Sequence, residues 1–324
     1  MKILILRLSS LGDIILTQPI TAELRERYPD AEIHYLCKPV FADLLSMFGT
    51  GLFPLAYQKS LSWHFMQSKA RYDLVIDLHA KFSTWLLRLF VRSRRVVVYD
   101  KKRLLRERIV KKKTTESLES TLRLYYSALD RLFPGQGYQV KPLRHPSLKP
   151  LPNVVHAGSL PVPEPGRKTI GIFPEAAHPT KIYPEEQWIR LIGARLDTCR
   201  FWILGSPAEK TLASRIAGKF SAGVIDLCGR FDLIQLAHVI QACDLVVSGD
   251  SGPMHLAAAL GARQIAIFGA THPRLGFAPL NGKAVVLAAG LPCQPCSLHG
   301  SKTCPLGHFN CMKRITAEQI ANYL

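Results

Sequence analysis

The sequence predicts an α/β protein built from two doubly wound domains, each with a parallel sheet. Three observations predict it. Short apolar runs alternate with segments of helical periodicity along most of the chain, the order that parallel sheets require. A proline-rich stretch, Lys141 to Gly166, interrupts that alternation and reads as an interdomain linker. A length of 324 residues suits two domains of about 150 residues each. The expected division is residues 1–155 and 156–324.

The first elements follow from residue pattern. Lys2 to Leu8 (KILILRL) is an apolar run suited to a strand buried on both faces. Ser9-Ser10-Leu11-Gly12-Asp13 forms the next turn, and Ile14 to Tyr28 keeps helical spacing across Pro19. Pro29-Asp30 ends that helix. Glu32 to Cys37 and Asp73 to Asp77 supply the second and third strands. After the linker the expected strands are Thr169–Phe173, Arg200–Leu204, Val224–Leu227, Leu245–Ser248 and Gln264–Phe268. The helices between and after them are Pro184–Leu196, Pro207–Phe220, Leu233–Ala242 and Gly252–Leu260. Thr316 and Gln319 have the spacing of a capping box for a last helix reaching Leu324.

Composition bounds the function. Hydrophobic residues form 48% and charged residues 20%, which excludes a disordered, collagen-like or coiled-coil chain. Basic residues outnumber acidic ones 42 to 24, a net charge of +18 that attracts anions without choosing among them. Arg88 to Lys113 holds twelve of the basic residues and two acidic ones. It reads either as a solvated basic face or as a docking surface for an anionic partner. No segment has the ~20 apolar residues of a membrane span: the best uncharged stretch, Ala284 to Ser301, carries two prolines and several polar side chains. Lys2 and Arg7 bracket too few apolar residues for a signal peptide. A cytoplasmic protein is expected, with its eight cysteines reduced or metal-bound rather than paired.

Two loops sit where an open parallel sheet binds ligands, beyond the carboxyl ends of its strands. Ser9, Ser10, Gly12 and Asp13 offer hydroxyls, a permissive glycine and a carboxylate after the first strand. The plain alternative is a helix cap, with Asp13 satisfying end amides. Gly249-Asp250-Ser251-Gly252-Pro253-Met254-His255 follows the strand at Leu245–Ser248, and Pro253 suits a first helical turn. Asp250 or Ser251 can cap that helix, or its unpaired amides can receive a diphosphate. The fingerprints of NAD-type dehydrogenases and P-loop NTPases are absent, as are H-E-x-x-H, G-x-S-x-G and a repeated acidic pattern for Mg²⁺. Cys293, Cys296, Cys304 and Cys311 follow C-x₂-C-x₇-C-x₆-C, which a zinc site or a set of reduced thiols would satisfy. No metal is assigned to the candidate site. Cys37, Cys199, Cys228 and Cys243 lie in apolar segments and are expected in the core.

At these residues the chain resembles glycosyltransferase family 9, the bacterial heptosyltransferases of the lipopolysaccharide inner core. The opening ILRLSSLGDIILTQPITAELRERYPDAEIHYL and the later DLVVSGDSGPMHLAAALGARQIAIFGATHP carry the resemblance in combination. PEAAHPTKIYPEEQW is similar to the family's lysine-containing loop, and PCQPCSLHGSKTCPLGHFNCMKRI to its cysteine-rich tail. The resemblance implies a GT-B fold, two Rossmann-like domains facing across a cleft. It implies inverting, metal-independent transfer of heptose from ADP-heptose to a lipid-linked lipopolysaccharide core acceptor, with no cofactor required. Asp13 would be the general base on the acceptor hydroxyl, and Lys181 would stabilise the leaving ADP. Asp250, Ser251, Gly252, Pro253, Met254 and His255 would form the donor loop, and Ser9, Ser10 and Gly12 the acceptor-side loop.

One departure stands out: Ile182 and Tyr183 follow Lys181 where relatives carry a polar residue or arginine and then tryptophan. Lost charge beside the diphosphate leaves donor identity open. The basic stretch would then suit an anionic inner-membrane surface, placing the enzyme peripherally on the inner face of the cytoplasmic membrane. Other readings are a family member with another nucleotide sugar or acceptor glycan, and a non-catalytic anion- or lipid-binding relative. The presence of both Asp13 and Lys181 counts against the latter. Nucleic acid is not expected, since no zinc-finger spacing, RNP-like motif or aromatics interleaved with the basic run occur.

Overall fold

The computed structural model describes residues 1–59, 70–112, 114–138, 143–151 and 161–324. It divides into two compact units, residues 1–102 with 120–151 and residues 103–119 with 152–324. The expected boundary after residue 155 lies outside the described residues. Arg103–Glu119, expected in the first half, goes with the second unit. Leu118 N–H donates to the Arg274 carbonyl at 2.9 Å, and the Arg106 guanidinium lies 5.0 Å from the centre of the Phe277 ring.

The first unit is a five-stranded parallel sheet in the order β3-β2-β1-β4-β5. The strands are β1 (Lys2–Leu6), β2 (Glu32–Cys37), β3 (Leu52–Ala56), β4 (Arg71–Asp77) and β5 (Arg92–Val98). Ile3 to Leu6 of β1 are fully buried, as a central strand covered on both faces requires. The edges look different. β3 contains Pro54, tolerated where one side of the ladder is unpaired, and β5 begins with exposed basic residues, which blunt an open edge. The helices are α1 (Leu11–Ile15), α2 (Gln18–Arg27), α3 (Phe82–Phe90) and α5 (Thr121–Leu132), while α4 (Arg103–Val110) belongs to the second unit.

The expected helix Ile14–Tyr28 is two helices. Pro19 lacks an amide proton and sits in the first turn of α2, where none is needed. Thr17 lies at the break, its hydroxyl 2.7 Å from that of Tyr35 and 2.6 Å from the Ile14 carbonyl.

The second unit has a six-stranded parallel sheet in the order β11-β10-β9-β6-β7-β8. Its strands are β6 (Lys168–Phe173), β7 (Cys199–Ile203), β8 (Val224–Asp226), β9 (Leu245–Gly249), β10 (Gln264–Phe268) and β11 (Ala284–Ala288). Counted from β6, this is the strand order of the dinucleotide-binding doubly wound fold. Its helices are α6 (Glu185–Gly193), α7 (Lys210–Ala217), α8 (Leu233–Gln241), α9 (Gly252–Ala259), α10 (Asn310–Lys313) and α11 (Ala317–Ala321). Thr316 caps α11 with Gln319 in reciprocal bonds, as expected. Trp188, Trp202, Tyr183 and Phe201 are fully buried in this unit.

Candidate active-site loops and family membership

In each sheet the strand order reverses once, between β1 and β4 and between β6 and β9. Loops leaving the carboxyl ends of those strand pairs line the crevice that ligands use in such folds. The sequence-predicted residues emerge at both places.

In the first unit, Ser10 is the N-cap of α1 and Asp13 occupies its third helical position. The Ser10 amide and hydroxyl both donate to Asp13 Oδ2, at 3.3 and 2.9 Å. Asp13 thus satisfies one end amide, as the capping alternative expects, while the Ser10 side chain makes no cap bond and donates to Asp13 instead. Two residues that the motif does not single out complete the arrangement. The Arg7 guanidinium lies 2.6 Å from Asp13 Oδ2, and the Tyr125 hydroxyl donates to Oδ1 at 2.9 Å. Arg7 is 5% exposed at the end of an apolar strand, and a charge in that place must be paired. That is the sequence signal for Arg7. Tyr125 gives none, because only the fold brings α5 to the β1 loop.

Burial pushes the Asp13 carboxyl up, but the Arg7 charge and the Tyr125 and Ser10 hydrogen bonds outweigh it. The net result holds Asp13 well below the usual carboxylate range. Gly12 is buried under this loop, while Ser9 is half-buried beside it. Asp77, at the end of β4, accepts the His79 and Ala80 amides through Oδ1 at 2.9 and 2.7 Å. The His79 imidazole is driven down to about 3 by burial and by Arg7, Lys81 and Lys101, so it stays neutral at physiological pH.

In the second unit, Lys181 ends a short 3₁₀ turn (Pro179–Lys181) after β6, and its ammonium lies 2.8 Å from Asp250 Oδ2 after β9. Thr271, following β10, donates to the same oxygen at 2.7 Å. Asp250 therefore spends its carboxylate on Lys181 and Thr271 instead of capping α9. Ser251 is the N-cap of α9 but makes no side-chain cap bond; its hydroxyl turns to the Gly249 carbonyl at 3.3 Å. Neither expected capping side chain serves, so the first amides of α9 keep their capacity for an anion. His255 is buried in the first turn. Met254 packs on Ala266 and Phe268, which leaves only its backbone for a ligand.

Ile182 packs against the apolar core, and Tyr183 is 1% exposed with its hydroxyl donating to the Ile315 carbonyl at 2.7 Å. The Tyr183 ring meets Trp188 edge-on at 5.1 Å. The departure beside Lys181 thus falls on packing positions, not on charge at the candidate donor loop.

The cysteine-rich segment braces this side of the second unit. The Ser301 amide donates to Thr180 Oγ1 at 2.8 Å, and Gln294 Nε2 to the Gly269 carbonyl at 2.7 Å. All eight cysteines are free thiols, and Cys37, Cys199 and Cys228 are buried as expected; Cys243 is half-buried. Cys293 Sγ lies 4.0 Å from His308 Nε2. Among the described residues, no three His, Cys, Asp or Glu side chains are arranged to hold a metal ion. Gly300 has φ +98°, and a Cβ there would fall 2.6 Å from His178 Cβ and 2.9 Å from Lys181 Cδ. Gly300→Ala is expected to displace Lys181, and any activity that depends on its ammonium should fall about tenfold, because small misplacements at a reacting centre are costly. Steady-state kinetics beside a melting curve will check it.

The sequence pattern of glycosyltransferase family 9 (heptosyltransferase) matches residues 64–308, most of the chain. The chain belongs to glycosyltransferase family 9. Lipooligosaccharide heptosyltransferase 2 of Campylobacter jejuni is 24% identical over 99% of this chain and 96% of its own length. Lipopolysaccharide heptosyltransferase 1 of Pseudomonas aeruginosa is 27% identical over 94% and 87%. Among solved structures, E. coli ADP-heptose LPS heptosyltransferase II matches with TM-score 0.73 and 24% identity, covering 99% of this chain and 97% of that one. Both units of this family 9 enzyme are Rossmann-like, and the fold is GT-B. Its activity is that of a glycosyltransferase.

Proposed function

We propose that this enzyme transfers a heptosyl group from ADP-heptose to a sugar hydroxyl of a lipid-linked lipopolysaccharide core acceptor, inverting the anomeric carbon and using no metal. Support comes from its relatives, which are heptosyltransferases named for lipooligosaccharide and lipopolysaccharide, and from the E. coli enzyme, whose name specifies ADP-heptose. One observation carries the reading: Lys181, held at 2.8 Å by Asp250, stands near the loop that starts α9, whose N-cap side chain, Ser251, makes no cap bond. An ammonium and oriented amides supply, without Mg²⁺, the charge that a departing diphosphate needs.

The step balances with these groups. The acceptor oxygen attacks the anomeric carbon, the bond to the ADP phosphate oxygen breaks, and ADP leaves with the electron pair. The acceptor's proton passes to Asp13. Held low by Arg7, Asp13 is a weak base and suits a proton that departs late, when the attacking oxygen has become strongly acidic. Lys181 and the start of α9, including the backbone at Ser251 to His255, meet the developing charge on ADP. Ser9, Ser10 and Gly12 shape the acceptor side.

The acceptor's lipid places the reaction at the inner face of the cytoplasmic membrane, with the protein bound peripherally. Among the described residues no helix is long and apolar enough to cross a membrane. The test is ADP release by purified protein given ADP-heptose and a panel of deacylated core acceptors, with and without EDTA. Acceptor-dependent release unchanged by EDTA is expected. Release only with another nucleotide sugar, or abolished by EDTA, would overturn the donor or the metal-free assignment respectively.

A further inference from the structure

Helix α3 has its apolar side turned outward. Phe82, Trp85, Leu86 and Leu89 stand at i, i+3, i+4 and i+7, one helical face, and they are 74, 47, 37 and 65% exposed. Thr84 and Leu87 of the same helix are the buried ones. The Phe82 and Trp85 rings stack at 5.4 Å and 24°. Beside them opens a cleft of about 440 Å³ lined by Ala80, Lys81, Phe82, Trp85, Arg88 and Val98.

Basic residues outnumber acidic ones around this face, although Asp73 and Asp77 stand against two of them. Between Asp77 and Asp100 the sequence holds five basic and no acidic residues. Lys81 is exposed at the start of the helix and Arg92 just past its end, while Arg94, within β5, reaches Asp73 at 3.6 Å. Arg88 turns inward to Asp77 at 3.4 Å. The arrangement differs from the basic surface read in the sequence. Lys112 is committed to the Pro295 carbonyl and Arg106 is buried on Phe277, both within the second unit. Lys113 lies outside the described residues.

We infer that α3 is the membrane-docking element of this enzyme: its Phe82–Trp85–Leu86–Leu89 face lies in the headgroup–acyl boundary of a bilayer, and its basic flanks meet anionic lipid phosphates. Aromatic and aliphatic residues on one helix face with cations at its margins suit that boundary, where the rings bury apolar area and the cations stay wet. A protein partner would need acidic groups to match the same frame, and the bilayer supplies both complements at once. The inference rests on the reading of a lipid-linked acceptor but names the surface that meets the lipid.

Full-length protein is sedimented with vesicles of phosphatidylethanolamine alone and with added phosphatidylglycerol. Binding is expected on the anionic vesicles, weakened by salt, with a blue-shifted emission that Trp85→Phe removes. The double variant Phe82→Gln, Leu89→Gln is expected to bind at least about tenfold more weakly, since it strips the inserted apolar area. Its transfer to a soluble deacylated acceptor is expected to stay within about twofold of wild type, because neither side chain belongs to the chemistry. Vesicle binding unchanged in the double variant would overturn the proposal. So would a wild-type dimer in analytical ultracentrifugation that the variant loses, which would mark the face as a contact between copies. Loss of transfer to every soluble acceptor with vesicle binding intact would count against the catalytic reading alone.

Discussion

Asp13→Asn is expected to lower kcat by about 10²- to 10⁴-fold, the range lost when a positioned general base is removed. ADP binding should be unchanged, because Asp13 belongs to the first unit and the candidate nucleotide loops to the second. Asparagine's one oxygen can take the place of Oδ2 and accept from Arg7 and Ser10, while its amide nitrogen replaces the oxygen that accepts from Tyr125, whose hydroxyl would have to turn and accept instead. The lost charge still matters for stability. Removing one partner of a buried ion pair costs on the order of 3–5 kcal/mol, and the 22% exposure of the Asp13 side chain puts this pair toward the lower end. Single-turnover transfer beside a melting curve separates the two losses. A variant that melts lower yet transfers at the wild-type rate would remove Asp13 from the chemistry.

The same electrostatics set the pH dependence. Burial raises the Asp13 pKa, Arg7, Tyr125 and Ser10 together lower it by more, and the balance leaves it depressed in the folded state. A depressed carboxyl contributes stability above its unfolded value of about 3.9, and that contribution is lost as pH falls through the lower folded value. Asp13 therefore stays ionised throughout the neutral range. The pH profile of kcat/KM is expected to show no acid limb from this residue above about pH 5.

How far the sequence reveals all this varies with what each residue signals locally. Interior strands such as β2 and β10 are legible to the residue, because burial leaves them short and mostly apolar, with Glu32 and His34 the polar exceptions in β2. β5 is not: as an edge strand it carries Arg92, Arg94 and Arg95 outward, and the same arginines read as a change of character rather than a strand. Helix α3 carries the i, i+3, i+4, i+7 spacing of a helix, but the stripe it marks is the exposed side, which spacing alone does not reveal. In the candidate site, Ser10, Asp13, Lys181 and Asp250 announce themselves through loop position and family resemblance. Tyr125 does not, for it reaches its partner only through tertiary packing, 112 residues away, and Thr271, though inside the quoted motif, shows its bond to Asp250 only in the fold. Ile182 and Tyr183 show the converse: a departure from a motif can fall on core positions and leave the charge of the loop intact.

Lys181→Met is expected to lower kcat by about 10²- to 10³-fold, the loss typical of a group that meets charge developing in the transition state. Methionine keeps the length of the stem that packs beside Gly300 and removes only the ammonium. The substitution also strands Asp250, 7% exposed, with Thr271 as its remaining side-chain partner. An uncompensated carboxylate there would repel a diphosphate, so donor affinity should fall as well. The double variant Lys181→Met, Asp250→Asn separates these effects: affinity for ADP should recover in part, while kcat stays low because no cation stands at the leaving group. Recovery of both parameters in the double variant would show that Lys181 serves only to neutralise Asp250. Recovery of affinity alone would leave the ammonium where the chemistry needs it, against the departing phosphate oxygen.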